Sequence, residues 1–126
     1  MKTLLNIKIL LVLIVVFSTV KSFGQSINLG PAISATPSST ILVPLNVNSM
    51  NNIGAMDIRI LFDNTVLSFV GTENLSPEAA GILSNAIVIS GNTSRVNLSW
   101  LSMGTSGVNF QNGKFLDLKF NYISGN

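Results

Sequence analysis

Ile53 to Gly71 has the sequence IGAMDIRILFDNTVLSFVG, which predicts two short strands separated by a turn. In its first half, apolar residues occupy every second position, at Met56, Ile58, Ile60 and Phe62. Because successive side chains of a strand point to opposite sides, this spacing predicts one apolar and one polar face. Asp63-Asn64 interrupts the run, since both side chains can bond to their own backbone in a turn. Val66 to Val70 then continues as a second, shorter strand.

The same alternation recurs twice later in the chain. It predicts inward-facing residues in Arg95 to Leu101 and in Gly113 to Ile123, namely Val96, Leu98, Trp100, Leu116, Leu118, Phe120 and Tyr122. Shorter apolar segments predict further strands within Ser26–Thr36, Thr40–Val47 and Ala86–Ser90, with Pro44 at a sheet edge or a bulge. Ser76 to Ala80 predicts one helical turn or a loop. Short strands with almost no helix predict an all-β fold, a two-sheet antiparallel β-sandwich.

The N-terminal segment, residues 1–24, has the pattern of a secretory signal peptide. Lys2 and Lys8 give a positive start, Ile9 to Phe17 is an unbroken apolar run, and Ser22-Phe23-Gly24 supplies small residues near a cleavage site. The apolar run is far shorter than the ~20 residues that a spanning helix needs. We therefore expect a secreted protein, extracellular or at the cell surface, with no membrane span after cleavage.

The composition excludes several classes of function. Without the signal peptide, four basic residues stand against five acidic ones, so the remaining net charge of −1 gives no reason to expect nucleic-acid binding. The chain has no Cys and no His, which removes the thiol nucleophile, the usual general base and the usual zinc ligands. Asp57 and Asp63 lie about 20 Å apart along an extended strand, too far for a glycosidase pair. We expect no enzymatic activity, no metal site and no cofactor.

The order of these segments resembles that of the cohesin module. In that family a half-buried strand ends in an aromatic-Asp pair, here Phe62-Asp63, and is followed by a Val-Leu, here Val66-Leu67. Ile41 to Val47 is similar to the family's valine-rich strand with its Pro and Asn, and Gly113 to Phe120 is similar to its Gly-led strand. The resemblance extends over Ile27 to Ile123.

The resemblance implies a nine-stranded jelly-roll sandwich that binds a dockerin-type partner, with the calcium carried by that partner. It implies a cohesin-like domain over residues 26–126 that lacks its last strand. It also implies that the partner docks on a sheet face whose residues here are Asp57, Arg59, Leu61, Arg95, Asn97, Ser99 and Leu101. Asp57 is the first candidate among them, and Asp117 and Lys119 are expected to join from the Gly-led strand.

Two other functions remain open for a fold of this kind. One is direct binding of a polysaccharide, because carbohydrate-binding modules share the fold, and the other is a structural spacer in a larger surface protein. A carbohydrate site would need a row of exposed aromatic rings. Trp100 and Tyr122 are expected to point inward, which leaves Phe110, in a loop, as the aromatic candidate for exposure.

Overall fold

The computed structural model describes residues 24–125 and contains seven strands. They are β1 (Ser26–Leu29), β2 (Thr40–Asn48), β3 (Ala55–Asp63), β4 (Leu67–Glu73), β5 (Leu83–Ser90), β6 (Thr93–Leu101) and β7 (Gly113–Tyr122). A single 3₁₀ turn, Pro77–Ala79, occupies the segment for which the sequence predicted a helical turn or a loop. The predicted signal peptide lies outside the described residues except for Gly24. Within residues 24–125, no helix is long and apolar enough to cross a membrane.

The strands form two antiparallel sheets. One has four strands in the order β1-β2-β7-β4, and the other has three in the order β3-β6-β5. After β1 and β2, the chain enters the three-stranded sheet at β3, returns for β4, forms β5 and β6 in the three-stranded sheet, and returns again for β7. The all-β sandwich predicted from the alternation is confirmed, while the jelly-roll description of its topology stays a prediction.

The core lies between the two sheets and is built from the alternating residues. Val96, Leu98, Leu116 and Leu118 are at most 1% exposed, and Trp100 and Phe120 are also buried, as the alternation predicted. The Phe120 ring contacts the Phe62 ring edge-on, with centroids 5.2 Å apart. Phe62 and the other three inward residues of β3 are only half-buried, because β3 is an edge strand of the smaller sheet. Tyr122 is half-buried too, and its hydroxyl donates to the Gly125 carbonyl.

The placement of Phe110 as a possible exposed loop residue was wrong. Its ring is 4% exposed and packs edge-on between Trp100, 5.0 Å away, and Phe115, 5.5 Å away, measured between ring centroids. A backbone hydrogen bond from Phe110 to the Met50 carbonyl holds the loop over this end of the core. The loop therefore covers one end of the core, although its polar composition had suggested that the Phe110 side chain could face solvent.

A β-bulge explains how two successive residues of β7 are both buried. The register between β2 and β7 shifts between Leu45 and Asn46, so that Leu45 lies opposite Leu116 and Asn46 opposite Lys114. Phe115 is the extra residue at this step, and bulges of this kind turn an additional side chain toward one side of a sheet. Phe115 and Leu116 are both fully buried as a result.

The same bulge lies next to Pro44. The sequence predicted that Pro44 lies either at a sheet edge or at a bulge, and the sheet-edge alternative was wrong. β2 runs between β1 and β7, and Pro44 lies opposite Asp117 of β7. The Pro44 carbonyl accepts a hydrogen bond from Gly30, just beyond the end of β1. In an antiparallel strand the N–H and C=O of one residue point the same way, so the missing N–H faces Gly30 and removes no bond to β7.

Candidate partner-binding face

The pairing of β3 with β6 brings all seven predicted site residues onto one face. Directly opposite residues share a side of an antiparallel sheet. The register places Asp57 opposite Ser99, Arg59 opposite Asn97, Leu61 opposite Arg95, and Ala55 opposite Leu101. None of these side chains is fully buried. We call this outer side of the β3-β6-β5 sheet the three-strand face.

The third strand of this face, β5, was not included among the predicted site residues. It adds Leu83, Asn85 and Ile87, which lie opposite Ser99, Asn97 and Arg95 of β6. The sequence predicted a strand only from Ala86, whereas β5 begins at Leu83. The apolar run that follows Ala86 was the available signal, but it has no charge and no clear alternation that would assign a side chain to this face.

Two of the polar contacts on the face are internal to it. Arg59 Nη2 donates to Asp57 Oδ2 at 2.9 Å, and both side chains remain more than half exposed. Asn97 Nδ2 donates to Asn85 Oδ1 at 3.3 Å, which links β6 to β5. By contrast, Arg95 Nε and Asn97 Oδ1 are shielded from solvent and have no hydrogen-bond partner in the described part of the chain.

Aliphatic side chains surround these polar groups. Leu61, Leu83 and Leu101 are 64%, 73% and 66% exposed. Ile87 is also exposed beside Arg95. Protein interfaces combine apolar side chains with a few charged and amide groups in this way, and arginine is enriched at their energetic centres. The arrangement is therefore suited to a protein partner.

The prediction that Asp117 and Lys119 join this face was wrong. Both lie on β7, which pairs with β2 and β4 in the other sheet. Asp117 is 3% exposed, and its Oδ2 accepts hydrogen bonds from Asn74 Nδ2 at 2.7 Å and Lys114 Nζ at 3.0 Å. Lys119 forms an ion pair with Glu73. Alternation gives the side of a strand on which a residue lies, but it does not give the sheet to which that strand belongs.

The acidic residue at the end of β3 has a structural explanation. Asp63 Oδ1 accepts bonds from the Thr65 hydroxyl at 2.6 Å and from the Thr65 backbone N–H at 2.8 Å. These bonds stabilise the charged form and lower the pKa of Asp63 below its ordinary value. Within residues 24–125 no three His, Cys, Asp or Glu side chains come together as metal ligands. Asp63 therefore fixes the turn between the two sheets.

Comparison with known proteins gives one match. The family model for the cohesin domain matches residues 30–125, which is most of the chain and nearly all of its described part. No curated protein and no solved structure matches the chain. The matched range contains six of the seven strands, the three-strand face and the bulged strand β7. On the evidence of this match, the chain belongs to the cohesin domain family.

Proposed function

We propose that this protein is a secreted, non-catalytic cohesin module that binds a dockerin-bearing partner through the three-strand face. Cohesin domains are binding modules whose partners carry dockerins, and the observation that supports the proposal is the family match over residues 30–125. The role that follows is attachment of dockerin-bearing enzymes to an extracellular assembly that degrades polysaccharides. In this proposal any calcium belongs to the dockerin, and the cohesin module contributes side chains alone.

The composition of the three-strand face supports a protein partner over a polysaccharide. Stacking on a sugar ring requires an exposed aromatic side chain, and within residues 24–125 every Phe, Tyr and Trp is buried or half-buried. The face instead offers the Asp57–Arg59 pair, Arg95 and the exposed leucines. Direct carbohydrate binding is therefore the weaker alternative, and a spacer role leaves the exposed leucines without an explanation.

Secretion belongs to the same proposal. Residues 1–24 combine a charged start, an apolar core and a small-residue end, so we expect the mature protein to begin at Gln25 or Ser26. N-terminal sequencing of protein recovered from the culture medium checks this expectation. Recovery of chains that begin at Met1 would contradict it.

The experiment that tests the binding proposal is a calorimetric titration of the full chain. The titrants are the dockerin modules encoded in the same genome and, separately, soluble fragments of cellulose and xylan. We expect binding to at least one dockerin, and we expect Asp57→Ala to weaken it by more than about 1–2 kcal/mol because that carboxylate lies on the face. The matched control is Glu73→Ala, an acidic residue of the other sheet, which should leave the affinity unchanged.

Binding to a polysaccharide alone, with the same affinity in the Asp57→Ala variant, would contradict the proposal and support the carbohydrate alternative. Binding of a dockerin that is weakened by Glu73→Ala and not by Asp57→Ala would place the interface on the four-stranded sheet. Thermal unfolding of each variant shows whether it is folded before the affinities are compared.

A further inference from the structure

Arg95 occupies the middle of the three-strand face. It lies on β6, the central strand, opposite Leu61 of β3 on one side and Ile87 of β5 on the other. Its side chain is half-buried, and its Nε is shielded from solvent. Aliphatic neighbours on both sides lower the local dielectric constant, and this strengthens any electrostatic interaction made there.

Arg95 differs from every other cationic side chain in residues 24–125. Arg59 is paired with Asp57, Lys114 with Asp117, and Lys119 with Glu73. Arg95 alone among these four has no carboxylate within 4 Å in the described part of the chain, and its Nε donates no hydrogen bond. A shielded donor without an acceptor is costly, and native proteins rarely leave one without a protein or ordered-water partner.

A second unsatisfied atom lies next to it on the same strand. Asn97 is two residues from Arg95, so both side chains emerge on the three-strand face. Asn97 Oδ1 is shielded from solvent and accepts no hydrogen bond within residues 24–125, while its Nδ2 is engaged with Asn85. Because both atoms are shielded, a partner can contact the centre of the face through the solvent-accessible part of the half-buried Arg95 side chain, beside exposed Leu61 and Ile87.

We infer that the dockerin-bearing partner places an aspartate or glutamate carboxylate over the guanidinium group of Arg95. This inference rests on the proposed function and specifies the chemistry of the partner. A guanidinium binds a carboxylate through two parallel N–H···O bonds, and its charge selects an anion over a neutral acceptor. The exposed leucines then pack against apolar residues of the partner and exclude water from the ion pair, which is the environment of an interface hot spot.

The test uses the full chain and whichever dockerin binds in the titration above. Arg95→Met keeps the aliphatic stem and removes the guanidinium, and we expect it to weaken binding by at least about 30-fold. Arg95→Lys keeps the charge but lacks the planar guanidinium group. Its affinity should lie between those of the wild-type chain and Arg95→Met. The matched control is Lys119→Met on the four-stranded sheet, which removes a cation that Glu73 already engages outside the three-strand face and should leave the affinity unchanged.

A charge exchange identifies the partner's group. Each exposed Asp and Glu of the dockerin outside its calcium loops is changed to Lys, and each variant is titrated against the wild-type chain and Arg95→Glu. One of these dockerin variants should lose affinity for the wild-type chain. Its affinity for Arg95→Glu should be at least about 10-fold higher than its affinity for the wild-type chain. Thermal unfolding confirms that both partners are folded.

The outcomes separate this inference from the proposed function. A dockerin that binds Arg95→Met as tightly as the wild-type chain would overturn the inference and leave dockerin binding in place. Loss with Arg95→Met and no recovery in any charge exchange would overturn the assignment of a protein carboxylate. If no dockerin binds, and polygalacturonate binds in an Arg95-dependent way, the partner is an acidic glycan, and both proposals are wrong.

Discussion

Two interior strands, β6 of the three-stranded sheet and β7 of the four-stranded sheet, have similar alternating sequences but very different outer sides. On β6 no charged or amide residue of the outer side is fully buried, and within residues 24–125 the shielded atoms Arg95 Nε and Asn97 Oδ1 have no hydrogen-bond partner. On β7 the outer residue Asp117 is buried, and Lys114 and Asn74 satisfy its carboxylate. The outer side of β7 thus uses its charges within the protein, whereas Arg95 on β6 has no carboxylate partner among the described residues.

The difference arises from what covers each sheet. Residues 74–76 follow β4 and run beside β7, where the Ser76 backbone N–H donates to the Phe115 carbonyl and Asn74 reaches Asp117. On the outer side of β6 the paired neighbours are side chains of β3 and β5, among them exposed Leu61, Leu83 and Ile87. A polar residue on a strand is therefore available for binding only when no loop of the same chain covers it.

Buried aromatic residues on the inner sides of β6 and β7 should contribute similarly to the free energy of unfolding. Their removal is the change with the largest expected effect. Trp100→Ala removes a buried indole of β6 whose Nε1 donates to the Ala80 carbonyl at 3.2 Å. We expect it to lower the free energy of unfolding by about 3–5 kcal/mol. Phe120→Ala in β7 is the matched variant and should cost a similar amount. Urea unfolding measures both, and a change near zero for Trp100→Ala would contradict its place in the core.

The outer sides should respond differently to removal of the same functional group. Asp117→Ala leaves Lys114 and Asn74 without their acceptor, and we expect it to cost about 1.5–3 kcal/mol of unfolding free energy. Asp57→Ala removes an exposed carboxylate from β3 and should stay within about 0.5 kcal/mol of the wild-type protein. Urea unfolding of both variants provides the comparison. Equal losses would show that the two outer sides do not differ as described.

The ion pair on the outer side of the four-stranded sheet should be more stabilising than the ion pair on the three-strand face. The expected difference is smaller than the one between Asp117→Ala and Asp57→Ala. Lys119 and Glu73 are 31% and 41% exposed, whereas Arg59 and Asp57 are 60% and 54% exposed. We expect a coupling free energy of about 0.5–1 kcal/mol for the first pair and less than about 0.5 kcal/mol for the second. Double-mutant cycles in low and high salt measure both values. A stronger coupling between Arg59 and Asp57 would mean that this pair is more rigid than its exposure indicates.

The sequence predicted much of the sandwich because alternation is a local property. It identified the inward residues of β6 and placed all seven site residues on one side of their strands. It could not show that β7 pairs with β2 and β4, because strand order depends on contacts between distant residues. The burial of Phe115 depends on a bulge in the register with β2, and the burial of Phe110 depends on how a polar loop folds over the core. Neither has a local signal in the sequence.

The turn that joins the two sheets provides the smallest expected effect. The Asp63 carboxylate accepts two bonds from Thr65, and its pKa in the folded protein is lowered, chiefly by the Thr65 hydroxyl. A group with a lowered folded-state pKa contributes stability that is present above its ordinary pKa, and this stability is lost as pH falls through the folded value. We therefore expect the melting temperature of the wild-type protein to fall more than that of Asp63→Asn when the pH is lowered from about 5 to about 2.5.

The Asn side chain can accept the same two bonds but does not titrate, so the two proteins should converge in stability at low pH. Thr65→Val is the matched control, because it removes the hydroxyl donor and keeps the backbone donor, and its acid sensitivity should lie between the other two. Differential scanning calorimetry across this pH range measures all three. Parallel curves for the wild-type protein and Asp63→Asn would show that the carboxylate charge does not stabilise the connection between the sheets.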